Sequence, residues 1–448
     1  MVNDFYPTRS EEKTNRIPNA LHHCMTPTSR GGDDLADRGS SSRPSVDKDI
    51  ELNVFQKVSQ NQIALLHNGE AYFPLLETAL DQATKVIFLE SYIFSNDRTG
   101  KRIAEALRRA AARGVKTHLL IDGFGSKDLP KTMRDHLEEA GVMVLVFRAN
   151  VSPWTLKRQR LRRLHRKIAV VDLKIAFVGG INIIDDTGKD GQTLCRYDFA
   201  VSIAGPMVKE IHDSARHLWS RVAWYRRLRF FRNQNIKRPP PSKELEGGMR
   251  SAFVVRNNIR HRRDIEDAYL QAIGQANTEI ILVNAYFLPG LTFRQALLVA
   301  AGRGIRVVLL LQGKMDKRLF QRASRALYGS FLDAGIEIYE YHHGLLHAKV
   351  AVIDEHWATV GSSNLDPFSL LLALEANVVV DDRKFAAELK RNLNQAIIMK
   401  ARRIFESDLR AQPFSIRLMN WLSYGMVRFM IGIAGYAPQN PTKRPESL

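Results

Sequence analysis

With 448 residues, 45% hydrophobic and 25% charged, the chain has an ordinary globular composition and enough length for two or three domains, which excludes a fibrous or wholly disordered polypeptide. Lys plus Arg outnumber Asp plus Glu by 66 to 47, a net charge of +19, so the expected partner is anionic: nucleic acid, an anionic bilayer or a phosphate-bearing substrate. Two cysteines, Cys24 and Cys195, exclude a disulfide framework, and the early acids Asp4, Glu11 and Glu12 without an apolar run predict neither a secretory signal nor a transit peptide; a reducing, cytosolic setting is expected.

Residues 1–50 are rich in Ser, Gly, Asp, Arg and Pro and are expected to be a disordered tail, with a regulatory or docking arm as the alternative. From Val54 the pattern alternates. Helices are predicted over 75–84, 102–114 and 129–141, and strands over 85–94, 115–123 and 142–147, which together make βαβ units. A loop over 148–164 then brings Lys157, Arg158, Arg160, Arg162 and Arg163 up to His165. It is either a solvated surface loop or a collector of anionic head groups.

Between residues 213 and 250 the aromatics Trp219, Trp224, Tyr225, Phe230 and Phe231 alternate with Arg221, Arg226, Arg227, Arg229 and Arg232. Such interleaving suits a bilayer interface, single-stranded nucleic acid, or a helix packed on the core; the bilayer is the preferred expectation. The α/β order then repeats: a helix over 265–278, a strand over 279–288, a helix over 294–304, a strand over 305–313, a helix around 317–334 and a strand over 336–341. ARGVKTHLLIDG and GRGIRVVLLLQG are matching segments of the two halves, which points to an internal duplication. The last segment, residues 396–448, contains the apolar run 414–437, which is interrupted by Arg417 and Arg428. Two arginines make a membrane span doubtful, so it is expected to lie in a bilayer interface or to dock on the protein's own core.

The duplication carries chemistry. HRKIAVVDLKIAFVGGIN begins at His165, and HAKVAVIDEHWATVGSSN begins at His347, 182 residues later. Both copies place His, Lys, Asp, Gly and Asn at the same spacing: His165, Lys167, Asp172, Gly179 and Asn182, then His347, Lys349, Asp354, Gly361 and Asn364. At ~5% per residue type, three fixed positions recur by chance roughly once in 8,000 starts. The β-branched runs on either side of a polar break predict a hairpin in each copy, with His and Lys on one face, Asp at the turn and Asn level with them on the return strand. Asp172 and Asp354 therefore receive an orienting or structural role. The acids that follow each motif, Asp198 and Glu375, can accept a hydrogen bond from an imidazole Nδ1. Glu90 with Tyr92, and Asn284 with Tyr286, are further candidates to line the cleft.

The doubled His-x-Lys-x4-Asp followed by Gly-Gly/Ser-x-Asn resembles the signature of the phospholipase D superfamily, over most of residues 51–395. The resemblance implies an α/β fold of two tandem α/β/α sandwich domains, 51–212 and 251–395, related by a pseudo-twofold axis and sharing one active site. It further implies that His165, Lys167, Asp172, His347, Lys349 and Asp354 form the catalytic set, with Asn182, Asn364, Asp198 and Glu375 binding or orienting. Asp198 departs from the family's usual Glu. Within the superfamily the chain looks most like bacterial cardiolipin synthases of the short form without N-terminal transmembrane helices. That likeness implies attack of one His, taken here as His165, on phosphatidylglycerol, with His347 as acid and base. A Lys beside each His repels cations, so no metal and no cofactor are expected. The expected partners are phosphatidylglycerol and an anionic bilayer, not nucleic acid, with the protein peripheral on the cytoplasmic face of the membrane. A phospholipid hydrolase, a nuclease, and a binding protein with a dead site remain as rivals.

Overall fold

The computed structural model describes residues 59–148, 162–185, 196–225, 247–257, 261–314, 318–366 and 373–433, all within the unit Leu52–Leu448. The 1–50 tail, most of the basic loop, residues 226–246 of the linker, both cysteines and the end of the apolar run lie outside the described residues.

In the first half the strands are β1 (Ser59–His67), β2 (Val86–Ser91), β3 (Lys116–Asp122), β4 (Met143–Phe147), β5 (Arg163–Leu164), β6 (Ile168–Val171), β7 (Ile175–Gly179), β8 (Arg196–Tyr197) and β9 (Phe199–Ala204). The helices are α1 (Asn68–Asp81), α2 (Arg98–Ala112), α3 (Lys131–Glu139) and α4 (Met207–Tyr225). The second half has β10 (Met249–Arg256), α5 (Asp264–Gln275), β11 (Glu279–Asn284), α6 (Leu291–Gly302), β12 (Arg306–Gln312), α7 (Arg318–Arg325), α8 (Tyr328–Leu332), β13 (Glu337–Tyr341) and β14 (Leu345–Leu346). It continues with β15 (Lys349–Ile353), β16 (Trp357–Gly361), β17 (Ala373–Asp381), α9 (Arg383–Lys400), β18 (Ala401–Ile404), α10 (Glu406–Arg410) and α11 (Phe414–Ile433).

Strand order in the first half is β1-β9-β7-β6-β2-β3-β4, and in the second β10-β17-β16-β15-β11-β12-β13 with β18 added at the edge. The two orders correspond strand for strand, so the duplication read from the sequence is a duplication of fold. The halves join where β1 and β10 pair antiparallel, Ser59 opposite Ser251.

The alternation of side chains along each strand places the core. Ile168, Val170, Val178 and Val201 meet Val350, Val352, Val360 and Val378 in one cluster shared by both sheets. The intervening residues face outward. Ala169, Val171 and Phe177 pack under α1 and α2, and Ala351, Ile353 and Val379 under α5 and α6. Strands buried on both faces read as unbroken apolar runs, which is why IAVV and VAVI have no polar alternation.

Helix boundaries differ from the expected ones in physical detail. α2 starts at Arg98 because the Asp97 side chain caps it, accepting from Gly100 N at 2.8 Å. The helix expected around 317–334 is two, α7 and α8, broken at Leu327. The segment expected to be an interfacial linker begins inside α4, where Leu218, Trp219 and Val222 are buried against β2, β3 and β4. Trp219 is thus a core residue and not a bilayer-facing one, whereas Trp224 is exposed.

Candidate active site

Each motif hairpin forms where it was expected. β6 and β7 are joined through Asp172 and Leu173, β15 and β16 through Asp354 and Glu355, and all four residues have φ between 51° and 57°. Two consecutive left-handed residues match the right-handed twist of the flanking strands. The Asp172 carboxylate accepts from Thr84 N (2.7 Å), Lys85 N (2.8 Å), Val86 N (2.9 Å) and the Thr84 hydroxyl (2.8 Å). Asp354 does the same with Asn277 N (2.7 Å), Thr278 N (2.9 Å) and Glu279 N (3.0 Å). Burial acts to raise the pKa of both carboxyls, but these hydrogen bonds outweigh it and hold them below the usual range. The two aspartates therefore tie each hairpin turn to the start of the neighbouring strand, and their oxygens are engaged there and not with the imidazoles.

The histidines lie where the halves exchange strands. β5 pairs in parallel with Ala373 and Leu374 at the start of β17, and β14 pairs in parallel with β8. His165 N donates to Leu374 O (3.0 Å) and His347 N to Tyr197 O (2.9 Å). The next residue on each partner strand is an acid, so the carboxylates are delivered across the pseudo-twofold axis. His165 Nδ1 lies 2.9 Å and 3.0 Å from the Glu375 oxygens, and His347 Nδ1 lies 2.6 Å from Asp198 Oδ2. Each half thus supplies the acid for the other half's histidine. With Nδ1–H given to a carboxylate, Nε2 keeps its lone pair.

Lys167 Nζ donates to the carbonyl of His165 at 2.6 Å, and Lys349 Nζ donates to that of His347. The two imidazoles and the two lysines are close enough to act on one another. Burial lowers the pKa of His165, Glu375 counteracts this, and the Lys167 and Lys349 charges lower it further. Burial, then Lys349, Arg196, Lys167 and His165, push His347 well below its ordinary value. Burial brings Lys167 to about 7 and Lys349 to about 8, and lifts Asp198 to about 6 against the pull of Lys349.

Of the two asparagines, Asn182 Oδ1 accepts from Ile93 N (3.1 Å), while its buried Nδ2 has no hydrogen-bond partner among the described residues. A buried amide donor left open has its hydrogen-bonding capacity to spare for an acceptor. Asn364 is buried at the equivalent position. Tyr92 packs edge-on to the His165 ring with centroids 4.9 Å apart, and Lys167 Nζ sits 5.4 Å from the Tyr92 centroid. Glu90 does not line the cleft. It is held by Arg166, Nη2 to Oε1 at 2.6 Å and Nε to Oε2 at 2.8 Å. Its assumed match to Asn284 also slips by one residue. Glu90 is opposite Ile168, whereas Asn284 is opposite Lys349 and Val283 opposite Val350, so Val283 is the counterpart of Glu90.

Sequence reasoning missed three supports of the site. Asp122 Oδ2 accepts from Leu164 N (2.8 Å) and Gln312 Oε1 accepts from Leu346 N (2.6 Å), so each fixes the residue before a histidine. They end the matched segments LLIDG and LLLQG, and a polar acceptor closing both strands was the available signal. Ser362 Oγ donates to Glu375 Oε2 at 2.5 Å. The equivalent position in the first half is Gly180, where a Cβ would lie 2.2 Å from Asp198 Oδ1. Among the described residues no three His, Cys, Asp or Glu side chains are grouped as metal ligands.

Comparison with known proteins agrees with this fold. The family model described as cardiolipin synthase, phospholipase D-like domain, matches residues 76–219 and 269–397. Cardiolipin synthase B of Escherichia coli (strain K12) is 38% identical over 382 residues, 84% of this chain and 90% of the relative. Cardiolipin synthase A of Pseudomonas putida is 30% identical over 380 residues, 84% of this chain and 76% of the relative. The crystal structure of phosphatidylserine synthase from Haemophilus influenzae has the same fold, with a TM-score of 0.60 at 13% identity, covering 83% of this chain and 95% of that one.

Proposed function

Because the chain belongs to the family of phospholipase D-like cardiolipin synthase domains, we propose that it is a phosphatidyltransferase that makes cardiolipin from two molecules of phosphatidylglycerol. The observation that carries this reading is the reciprocal pair of buried imidazole–carboxylate contacts, His165–Glu375 and His347–Asp198, around two buried lysines.

In this reading the lysines and the open Asn182 amide, with Asn364 opposite, hold the non-bridging oxygens of a phosphodiester. His165 Nε2 attacks phosphorus. The N–P bond forms as the P–O bond to glycerol breaks, and His347 gives its proton to the departing glycerol oxygen. The bound anion offsets the lysine charges that lower His347's proton affinity, so substrate binding itself favours the protonated acid. His347, now neutral, takes the proton from a hydroxyl of a second phosphatidylglycerol. That oxygen attacks phosphorus, the P–N bond breaks, and cardiolipin leaves with His165 restored. Asp198 and Glu375 keep each imidazole in the tautomer that presents Nε2 to the substrate.

No described helix is long and apolar enough to cross a membrane. With a lipid substrate and a charge of +19, the protein is read as peripheral on the cytoplasmic face of an anionic bilayer. The test is mass spectrometry of products after incubation with phosphatidylglycerol vesicles. Cardiolipin plus glycerol is expected, and His165→Ala and His347→Ala are each expected to abolish both. Phosphatidic acid without cardiolipin would make it a hydrolase, no lipid turnover would point to a nuclease, and near-normal turnover in either variant would refute the shared site.

A further inference from the structure

Helix α11 is packed inside out. It rests on α7 and the second-half core through a narrow stripe in which Asn420, Ser423 and Val427 are buried and Tyr424 is half-buried. The opposite face carries Phe414, Leu418, Trp421, Leu422, Met426 and Phe429, all exposed; Phe414 is 75%, Phe429 68%, Leu422 64% and Trp421 61% accessible. At 100° per residue these six lie on the side away from the stripe. Water is the wrong neighbour for such a face, and a contiguous apolar patch of this kind marks an interaction site.

The charges select the occupant. Arg417 and Arg428 are eleven residues apart, close to three full turns, so both lie along one edge of the apolar face. Both are exposed, and neither makes an ion pair among the described residues. A second copy docked antiparallel through this face would bring its own arginines to the same seam, because a twofold interface is made of one patch meeting itself. A sheet of lipid phosphates meets them with opposite charge.

We infer that α11 is an in-plane anchor, gripping the protein by its polar stripe and laying its apolar face into an anionic bilayer with Arg417 and Arg428 at the phosphate level. The inference rests on the lipid-active reading above and specifies which surface meets the substrate-bearing membrane. At ~1.5 Å per residue the helix gives a rod of about 30 Å parallel to the surface.

The test uses the full chain in vesicle flotation, on phosphatidylcholine alone and on phosphatidylcholine mixed with phosphatidylserine, an anion other than the proposed substrate. Phe414→Ser/Leu422→Ser/Phe429→Ser is expected to weaken partitioning at least 100-fold, since each apolar side chain withdrawn from the interface is worth about tenfold. Arg417→Gln/Arg428→Gln is expected to weaken binding about tenfold or more on the anionic vesicles only. The triple variant keeps turnover of dispersed short-chain phosphatidylglycerol and loses it on vesicles. Failure of the wild type on the dispersed lipid would count against the proposed reaction, while flotation still decides the anchor. Wild-type flotation by the triple variant overturns the inference. So does a wild-type dimer that the triple variant converts to monomer without a change in flotation.

Discussion

The buried pair Glu90–Arg166 offers a test in which the protein supplies its own control. Both side chains are buried, with a two-point contact and a third bond from Arg166 Nη1 to Ser214 Oγ at 2.8 Å. In the second half the same places are taken by Val283 and Ala348, so the architecture accepts apolar side chains there. Glu90→Val leaves a guanidinium in the interior with one neutral partner, which costs about 3–5 kcal/mol. At about 1 °C per kcal/mol for a chain of this size, the melting temperature falls by about 3–5 °C. Adding Arg166→Met removes the stranded charge and keeps most of the volume, so the double variant returns to within about 1 kcal/mol of wild type. Scanning calorimetry of the wild type, both singles and the double at neutral pH measures the coupling. Additive losses, with the double variant melting below either single, would refute the claim that the pair is replaceable as a unit.

Two further outcomes follow from the site. In the proposed mechanism Asp198 must be ionised to accept from His347, and its raised pKa puts the acid limb of kcat/KM at about 6; Lys167 at about 7 and Lys349 at about 8 must be charged to hold phosphate in that mechanism, and their lowered values put the basic limb there. The expected profile is a narrow bell, and a plateau from about pH 5 to about pH 9 would refute it. Gly180→Ala drives a methyl into Asp198, 2.2 Å from Oδ1, and the displaced carboxylate is expected to cost about 100-fold in kcat, measured on vesicles or dispersed lipid alike.

The parts of this fold legible in the sequence are those set by local periodicity. The βαβ alternation, the two hairpins and the turn aspartates appear where the patterns put them, because twist and hydrogen bonding act over a few residues. What the sequence hid is set by exchange between distant segments. Asp198 and Glu375 are recognisable as acids after each motif, yet nothing local says that each serves the other half's histidine, 149 and 210 residues away. That partnership depends on β5 crossing to β17 and β14 to β8, each through a two-residue pairing too short to leave a pattern. Glu90 was misplaced for a related reason. Aligning the Tyr92 and Tyr286 segments by identity shifts the register by one residue, and in a strand one residue reverses the face. α11 is open to two readings in the sequence, and the burial of Asn420 and Ser423 in place of its larger apolar neighbours bears out the docked one: the helix packs on the core by one face and leaves the other exposed, the face inferred above to meet a bilayer.

The exchange also bears on why the two motifs must stand in one chain or in a tightly joined pair. Within a single half, the histidine has its lysine and asparagine but no carboxylate, since Glu375 and Asp198 arrive only with the partner strands. An imidazole without that acceptor has no preferred tautomer, and two unpaired imidazoles beside two lysines add repulsion without orientation. Crossing the acids makes both histidines depend on the same interface, so the pairing that builds one half of the site builds the other. The small differences between the pairs, Ser362 bonding Glu375 where Gly180 makes room for Asp198, then lie on a shared frame. On such a frame the two imidazoles can diverge into the proposed nucleophile and acid while each keeps its carboxylate.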